Sequence, residues 1–406
     1  MGDFHQTGII TTLHRLGKLD LENLERRLEK YSKERPIALV LPSLYSELQG
    51  EALPKIIDEI KNVRYLKQIV VALGMANKKE FNHAKKFFFV LPQEVRIIWN
   101  DGKRLQSLYK LLENNGLDIG EQGKGRSAWM AYGYVLASGK SQVIALHDCD
   151  ILTYSRELLA RLCYPTTSPT LDYEFCKGYY SRVTNKLHGR VTRLLVTPLI
   201  RALESVIGNN LHNVPFLSYL DSFRYPLAGE FSMDADLARI NRIPGDWGLE
   251  VGVLAEVYRN CAINRVCQVE LCENYDHKHQ VLSPDDPEKG LLKMSIDICK
   301  SMFRTLATEG VVFSDGFFRT LQTKYLRTAQ DNIKRYEDDA AINGLGFDRH
   351  EEGLAVEAFT RGVKMASEVF LENPFEIRLI PNWNRVDAAI PDFLPMLNDA
   401  VEKDNE

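Results

Sequence analysis

Short apolar runs alternate with amphipathic stretches along the first two-thirds of the chain. Four runs are short and almost wholly apolar, as is typical of strands buried on both faces: residues 36–41, 68–73, 95–99 and 143–147. Between them we expect helices over residues 57–63 and 126–138, the second because its apolar positions repeat near a period of 3.6. Strands that alternate with helices predict an α/β fold with a mostly parallel sheet covered on both sides.

The pattern changes after about residue 289, where charged residues become dense and apolar positions follow a helical period. Five apolar residues there step by three or four positions and share one helical face: Leu292, Ile296, Cys299, Phe303 and Leu306. Residues 317–338 and 352–371 continue in the same way, and four later prolines divide the rest into shorter pieces. We therefore predict an all-helical C-terminal extension, and we expect residues 402–406 to be frayed.

The composition is that of a folded protein without a membrane segment. Of the 406 residues, 45% are hydrophobic and 26% are charged, which is ordinary for a globular domain. The formal net charge of −4 argues against a nucleic-acid partner, and no apolar run approaches the roughly 18 residues that span a bilayer. Because the first residues lack a secretory signal and the seven cysteines lack Cys-x-x-Cys spacing, we expect a cytoplasmic protein with reduced thiols.

Two carboxylates follow the fourth predicted strand. Asp148 and Asp150 are expected at its carboxyl end, where ligands bind in parallel sheets. Carboxylate oxygens suit Mg²⁺ or Mn²⁺, and such an ion is usually shared with phosphates. Cys149, between them, points to the opposite face of an extended segment and is expected to pack. Farther along, His277 or His279 could complete a metal site. Taken alone, the acids are equally compatible with an ordinary strand end.

A glycine-rich basic loop precedes the helix that leads to these acids. In residues 123–126 (Gly-Lys-Gly-Arg), the glycines would let the backbone approach a ligand. Lys124 and Arg126 bring positive charge to a helix N-terminus, which itself favours phosphate. The loop after the first strand, residues 41–47, has no glycine run, so it is neither a Walker loop nor a dinucleotide fingerprint, although Tyr45 could contact a nucleobase. These features favour a diphosphate site over a kinase or a dehydrogenase.

Two further regions carry polar chemistry. Residues 189–192 (Gly-Arg-Val-Thr) could bind an anionic pair of oxygens through the bidentate fork of Arg190. Residues 227–230 and 245–250 form two glycine-punctuated acidic loops, and Trp247 in the second could stack on the face of a sugar. Each of these segments, by itself, is also compatible with an ordinary charged loop.

The order of the motifs resembles that of one known family. Along the chain they are Leu-Pro-x-Leu, Gly-Lys-Gly, Asp-x-Asp, Gly-Arg-Val-Thr, Pro-Leu-x-Gly-Glu, Trp-Gly-x-Glu and a late His. Over residues 36–282 this is similar to the retaining GT-A glycosyltransferases that include the glucosyl- and mannosyl-3-phosphoglycerate synthases. The resemblance implies a Rossmann-like GT-A domain and a Mg²⁺ or Mn²⁺ cofactor. It implies transfer of a hexose, expected to be glucose from UDP-glucose, to 3-phosphoglycerate with retention of the anomeric configuration.

The resemblance also implies a role for each motif. The nucleotide sugar would contact seven residues: Pro42, Ser43, Leu44, Glu47, Lys124, Asp148 and Cys149. The divalent ion would be ligated by Asp150 and His277. The acceptor would contact Gly189, Arg190, Val191 and Thr192. The residues nearest the reaction would be Thr192, Glu250, which would hold sugar hydroxyls, and Leu227, through its backbone carbonyl.

The same resemblance suggests a division of the chain. We expect an N-terminal arm (1–35), a GT-A domain (36–288) and the helical C-terminal extension (289–406). Within the domain, the donor would bind the half formed by residues 36–150 and the acceptor the half formed by residues 151–288. The extension would form a homodimer contact or a cap over the acceptor side.

Two positions depart from the family pattern, and two other functions remain open at this point. Tyr275 stands where a basic residue is expected, and residues 45–47 read Tyr-Ser-Glu instead of Asn-Glu-Glu. A sugar-phosphate nucleotidylyltransferase would release pyrophosphate, although its glycine-rich first loop is missing here. A non-catalytic scaffold that binds a nucleotide sugar would use the helical extension as an interaction surface.

Overall fold

One eight-stranded sheet organises the protein. The computed structural model describes residues 6, 8–208, 214–277, 289–374 and 379–406. Within them the strands are β1 (Thr11–Leu13), β2 (Ile37–Leu44), β3 (Leu66–Gly74), β4 (Glu94–Trp99), β5 (Val143–Leu146), β6 (Phe175–Tyr180), β7 (Phe231–Asp234) and β8 (Val266–Cys272). In the order β1-β8-β6-β7-β5-β2-β3-β4, only β7 runs antiparallel to its neighbours. The predicted α/β class with a mostly parallel sheet is therefore observed.

Helices cover both faces of this sheet. Those described are α1 (Leu21–Tyr31), α2 (Ala52–Ile60), α3 (Lys78–Phe88), α4 (Lys103–Asn114), α5 (Lys124–Ser138), α6 (Arg156–Thr167), α7 (Thr197–Gly208), α8 (Pro215–Ser222), α9 (Ala235–Ile240), α10 (Leu249–Asn260), α11 (Gly290–Thr308), α12 (Asp315–Ile342), α13 (Arg349–Glu372), α14 (Trp383–Ala389) and α15 (Phe393–Asn405). Helix α5 packs on β2 and β3, and α6 packs on β6 and β8.

The apolar strand β2 shows why the central runs lack alternation. Ala38 and Val40 join the core on the side of α5, whereas Leu39 and Leu41 join the core on the side of α6. Successive side chains of a strand point to opposite faces, so a strand buried on both faces must be apolar at every position. Successive positions of β2 are therefore apolar because helices cover both faces of the sheet.

Residues of the predicted N-terminal arm contribute to the fold. Strand β1 pairs in parallel with β8 at one edge of the sheet, and α1 packs against α6. Helix α1 begins after Asp20, whose carboxylate accepts a hydrogen bond of 3.0 Å from the backbone N–H of Asn23. These residues are therefore integrated with the sheet, while the boundaries 1–35, 36–288 and 289–406 stay a prediction.

The residues described after 289 are mostly helical, as predicted. Helices α11 and α13 pack on each other, and α12 packs on α7 and α13. Farther on, Trp383 of α14 stacks on Trp129 of α5 with ring centroids 4.2 Å apart. A side chain at Gly133 of α5 would overlap the Trp383 ring, so this glycine permits the close approach. The extension is thereby fixed to the sheet domain along its length.

The prediction that residues 402–406 fray is wrong. Helix α15 continues to Asn405, whose side-chain amide donates to the carbonyl oxygen of Ile97 at 2.8 Å and accepts from its N–H at 2.9 Å. Ile97 belongs to β4 at the edge of the sheet. Asn405 therefore satisfies backbone groups that an exposed edge would offer to another strand.

One predicted helix is displaced along the sequence. The helix expected over residues 57–63 is observed as α2, which ends at Ile60. The N–H of Val63 bonds to the carbonyl of Ile60 at 2.9 Å, so the chain leaves the helix in a turn and enters β3. None of the helices that the structure describes is both long and apolar enough to cross a membrane.

Candidate active site

A cavity of about 1240 Å³ opens at the carboxyl ends of β2 and β5. Every residue to which the family resemblance gives a role lines it: Pro42, Ser43, Leu44, Glu47, Lys124, Asp148, Cys149, Asp150, Gly189, Arg190, Val191, Thr192, Leu227, Glu250 and His277. Motifs that lie far apart in the sequence therefore meet in one place. The role of each residue stays a prediction.

Lys124 lies between two carboxylates at the base of the cavity. Its ammonium nitrogen is 2.6 Å from Oδ1 of Asp148 and 3.1 Å from Oε1 of Glu250. Burial alone would lower the pKa of Lys124, but the two carboxylates raise it well above its usual value, so the side chain stays charged. Burial would raise the pKa of Asp148, and the Lys124 charge outweighs this and lowers it. Lys124 and Asp148 therefore keep their charges at neutral pH.

The glycines of the basic loop permit a close approach of another segment of the chain. A side chain at Gly125 would overlap the carbonyl oxygen of Pro244, and one at Gly123 would lie 3.0 Å from that of Gly245. The two glycines thus make room for the chain at 244–245, and Gly123 also lines the cavity. Arg126 does not line the cavity, because its guanidinium stacks 4.6 Å from the ring centroid of Tyr109.

Asp150 and His277 form a second pair on the cavity wall. Oδ2 of Asp150 lies 3.6 Å from Nδ1 of His277. An antiparallel bridge between Ile151 and His277 brings them together, supported by a hydrogen bond of 2.8 Å from the N–H of Leu152 to the carbonyl of Asp276. His279, the alternative ligand, lies outside the described residues.

This pair fits a divalent ion whose remaining ligands come from a diphosphate. A carboxylate and an imidazole are suitable donors for Mg²⁺ or Mn²⁺. Among the described residues, no group of three or more His, Cys, Asp or Glu side chains is close enough to hold a metal. The charges agree, because the ammonium of Lys124 is already paired with the carboxylates of Asp148 and Glu250. A dianionic diphosphate beside Asp150 would therefore gain from the added positive charge of an ion.

Buried groups behind the acids fix their backbone. The ring of His147 is fully buried, with Nδ1 2.9 Å from the carbonyl oxygen of Asp148 and Nε2 3.2 Å from the hydroxyl of Tyr154. Burial lowers the pKa of His147 to about 4, so the ring is neutral, and Nδ1 must carry the proton that it donates. Cys149 is buried, and burial raises its thiol pKa, as expected for a packing residue.

A second buried network lies beneath the acceptor side. The hydroxyls of Tyr180 and Tyr275 donate to the two carboxylate oxygens of Glu230 at 2.7 and 2.6 Å, and their rings stack with centroids 3.7 Å apart. Burial raises the pKa of Glu230. Tyr275, which departs from the family pattern, is therefore a structural residue behind the wall. The cavity nevertheless has a cation nearby, since Arg182 lines it and donates to the hydroxyl of Tyr225 at 3.2 Å.

Removing the Tyr275 hydroxyl is expected to cost stability and not acceptor binding. Tyr275→Phe leaves one oxygen of buried Glu230 without its donor, which should lower the free energy of unfolding by about 1–3 kcal/mol. Denaturant unfolding measures this, and steady-state kinetics should give an unchanged acceptor KM. Tyr45→Phe is the matched control, because the Tyr45 hydroxyl contacts His83 at the surface and does not line the cavity. Equal stability of the two variants would contradict the assignment.

Lys177 supports the backbone at Leu227. Its buried ammonium donates to the carbonyl oxygen of Ala228 at 2.6 Å, and burial lowers its pKa to about 8. A side chain at Gly229 would overlap the Asp148 carboxylate. The segment that carries the Leu227 carbonyl is thus held between Lys177 and Asp148. No local pattern in the sequence marks Lys177 for this position, because its partner is 51 residues away.

The acceptor motif adopts a special backbone. Gly189 has a φ of 72°, the left-handed region that favours glycine, and a side chain there would lie 3.2 Å from the hydroxyl of Tyr225. Arg190 precedes the π-helical segment Val191–Val196, which continues into α7. Oγ1 of Thr192 is buried and has no hydrogen-bond partner among the residues that the structure describes, so a ligand could supply one.

The helical extension contributes individual side chains to the same cavity. Lys293 and Asp297 of α11, and Glu351 and Glu352 of α13, line its acceptor side. Burial raises the pKa of Asp297 to about 6, although the ammonium of Lys293 lies 3.3 Å away. These residues belong to ordinary amphipathic helices, so no motif singles them out. Of the two predicted roles of the extension, a cap over the acceptor side agrees with this placement.

Comparison with known proteins identifies the family. No protein-family model matches the chain. A glucosyl-3-phosphoglycerate synthase of Persephonella marina is 52% identical over 405 residues, which is 100% of this chain and 99% of the relative. The chain belongs to the glucosyl-3-phosphoglycerate synthase family. A synthase of the same name from Methanococcoides burtonii is 40% identical over 408 residues, covering 99% of this chain and 98% of the relative. The family resemblance predicted from the motifs is thus confirmed.

Solved structures of such synthases share the fold. The glucosyl-3-phosphoglycerate synthase of Mycobacterium tuberculosis in complex with Mg²⁺ and UDP has a TM-score of 0.53 at 20% identity, covering 75% of this chain and 89% of that chain. The mannosyl-3-phosphoglycerate synthase of Rubrobacter xylanophilus has a TM-score of 0.54 at 23% identity, covering 75% of this chain and 83% of that chain. The predicted GT-A architecture is therefore confirmed.

Proposed function

We propose that this chain is a metal-dependent, retaining glycosyltransferase that moves glucose from UDP-glucose to 3-phosphoglycerate. The family membership supports this proposal. So does the M. tuberculosis synthase, which has been solved with Mn²⁺, UDP-glucose and phosphoglyceric acid. The observation that carries it is that one cavity combines the Lys124 cluster, the Asp150–His277 pair and the Gly189–Thr192 motif.

The donor half of the cavity is suited to a departing diphosphate. Asp150 and His277 would hold the divalent ion, which when bound neutralises negative charge that develops on the leaving UDP. Lys124 adds a fixed ammonium at the N-terminus of α5, where the helix dipole also favours phosphate. Glu250, held by Lys124, can accept hydrogen bonds from sugar hydroxyls. These groups favour the transition state because they are positioned before charge develops.

Retention of configuration would follow from attack on the same face that UDP leaves. Asp148 and Glu250 are each ion-paired with Lys124, which weakens them as nucleophiles. The acceptor oxygen forms its bond to the anomeric carbon as the carbon–phosphate oxygen bond breaks, and a phosphate oxygen of UDP takes the hydroxyl proton. The Leu227 carbonyl would accept that hydroxyl's hydrogen bond beforehand. Mass spectrometry after mixing with donor alone should show no glucosyl-enzyme, and a covalent adduct would overturn this mechanism.

A screen of donors against acceptors tests the proposed activity. UDP-, GDP- and ADP-linked glucose and mannose are combined with 3-phosphoglycerate, glycerate and glycerol 3-phosphate, with and without Mg²⁺. We expect nucleoside diphosphate release to be fastest for UDP-glucose with 3-phosphoglycerate and to require the metal. Pyrophosphate release from UTP and glucose 1-phosphate would indicate a nucleotidylyltransferase. No turnover with any pair would favour a non-catalytic scaffold.

The proposal also includes the oligomeric state and the cellular location of the protein. We expect a homodimer in the cytoplasm, in keeping with the reduced thiols predicted from cysteine spacing. All seven cysteines lie within the described residues, and all are unpaired there. Sedimentation velocity distinguishes a dimer from a monomer directly.

A further inference from the structure

The helical extension holds the acceptor motif at several points. The carbonyl oxygen of Asn185 accepts a hydrogen bond of 2.8 Å from the N–H of Gly346, and Lys186 forms a parallel β-bridge with the same glycine. Gly346 lies in the turn between α12 and α13. The loop that leads into the Gly189–Thr192 motif is thus paired through its backbone with the extension.

One carboxylate of α13 joins two arginines of this motif region. Oε1 of Glu352 accepts from Nε of Arg190 at 2.8 Å, and Oε2 accepts from Nη1 of Arg193 at 2.9 Å. Glu351 adds a longer contact of 3.3 Å to Nη2 of Arg190. The guanidinium of Arg193 is also fixed by the carbonyl of His188 at 2.8 Å. Arg190 therefore has its orientation set by the extension before any ligand binds.

The burial of Glu352 indicates whether its carboxylate orients Arg190 or competes with an arriving anion for Arg190. The side chains of Glu352 and Arg193 are only 6% and 9% exposed, whereas that of Arg190 is 28% exposed. If an arriving anion displaced Glu352, it would leave a buried carboxylate and a buried guanidinium short of partners, which is costly. Glu352 is therefore expected to stay in place, and Arg190 can offer its remaining N–H groups to the cavity that it lines.

We propose that Glu352 is a positioning residue for acceptor binding, through which the helical extension fixes Arg190 toward the anionic groups of the acceptor. This inference rests on the proposed function, because the acceptor is taken to be a phosphorylated carboxylic acid. Bidentate recognition of such anions depends on the orientation of the guanidinium plane. The extension is then part of the acceptor site and not only a cover for it.

The test separates acceptor binding from turnover. Glu352→Ala should raise the KM for 3-phosphoglycerate about tenfold, equivalent to about 1.4 kcal/mol, because Arg190 and Arg193 lose their shared carboxylate. The kcat and the KM for UDP-glucose should stay within about twofold of the parent, which general damage to the fold would not allow. Glu352→Gln keeps the shape and one acceptor oxygen, so it should restore part of the loss. Glu357→Gln, an exposed position on the same helix, is the matched control.

The outcomes distinguish this inference from the proposed function. If the parent protein does not glucosylate 3-phosphoglycerate, the proposed function fails. If the parent does so and both Glu352 variants keep its acceptor KM, the positioning role is overturned. A lower acceptor KM in Glu352→Gln would also overturn it, since the carboxylate would then compete with the acceptor. Should Glu352→Ala not fold, Glu352→Gln decides, with an expected rise of about threefold in acceptor KM.

Discussion

Asp150→Ala is expected to reduce glucosyl transfer by about three orders of magnitude, because it removes the carboxylate that lies 3.6 Å from His277 at the predicted metal site. Asp148 cannot replace it, since its Oδ1 is 2.6 Å from the ammonium of Lys124. Without the ion, the charge of Lys124 is already shared by Asp148 and Glu250. A leaving diphosphate would then develop its charge without neutralisation. Initial rates of UDP release measure the loss.

Binding of UDP separates this effect from a general loss of structure. Calorimetry of the parent should show tighter UDP binding with Mg²⁺ than without it, and Asp150→Ala should lose that difference. Asp331→Ala is the matched control, because Asp331 lies on α12, pairs with the exposed Arg327 of the preceding turn, and does not line the cavity. If Asp150→Ala released UDP at the parent rate, the metal assignment would be wrong.

Lys124→Met is expected to lower kcat/KM by about 10²–10³-fold. The substitution removes the fixed ammonium from the start of α5 and leaves Asp148 and Glu250, both bound to the same nitrogen in the parent, without their shared cation. Repulsion between these carboxylates should also weaken UDP binding. Lys124→Arg keeps the charge but not the compact geometry, so its activity should lie between those of the parent and the methionine variant.

A matched control makes this result specific. Lys110 is exposed on α4 and does not line the cavity, so Lys110→Met removes the same charge without touching the cluster. Its kcat/KM should equal that of the parent. A Lys124→Met variant within about threefold of the parent would show that the ammonium does not contribute to transfer.

The central strands could be predicted because a strand that is buried on both faces is apolar at most of its positions. Strands β2 to β5 each contain a mostly apolar run, and Asp148 and Asp150 follow the last of them. Strands β6 and β7 carry weaker signals. Lys177 and Gly178 interrupt β6, and the ammonium of Lys177 is satisfied by Ala228, which is distant in the sequence. A polar residue in a buried strand looks like a loop until its partner is known.

The sequence predicted which residues line the cavity, but it did not predict most of the contacts between them. The predicted residues line one cavity. Several of them follow parallel strands, and the carboxyl ends of neighbouring parallel strands share one edge of the sheet. The pairing of Lys124 with two carboxylates and the packing role of Gly125 depend on approaches between distant segments. Glu352 is the strongest example, since nothing in α13 distinguishes it from the other acids of an amphipathic helix. The local sequence shows which residue types are present, whereas tertiary packing determines which of them come into contact.

Identification of the product tests the central claim most directly. The purified protein is mixed with UDP-glucose, 3-phosphoglycerate and Mg²⁺, and the products are analysed by NMR and mass spectrometry. We predict UDP and a glucosyl-3-phosphoglycerate with the sugar on the 2-hydroxyl and the α configuration of the donor retained, and no product when the metal is chelated. Free glucose alone, a β-linked product, or equal formation without metal would contradict the account.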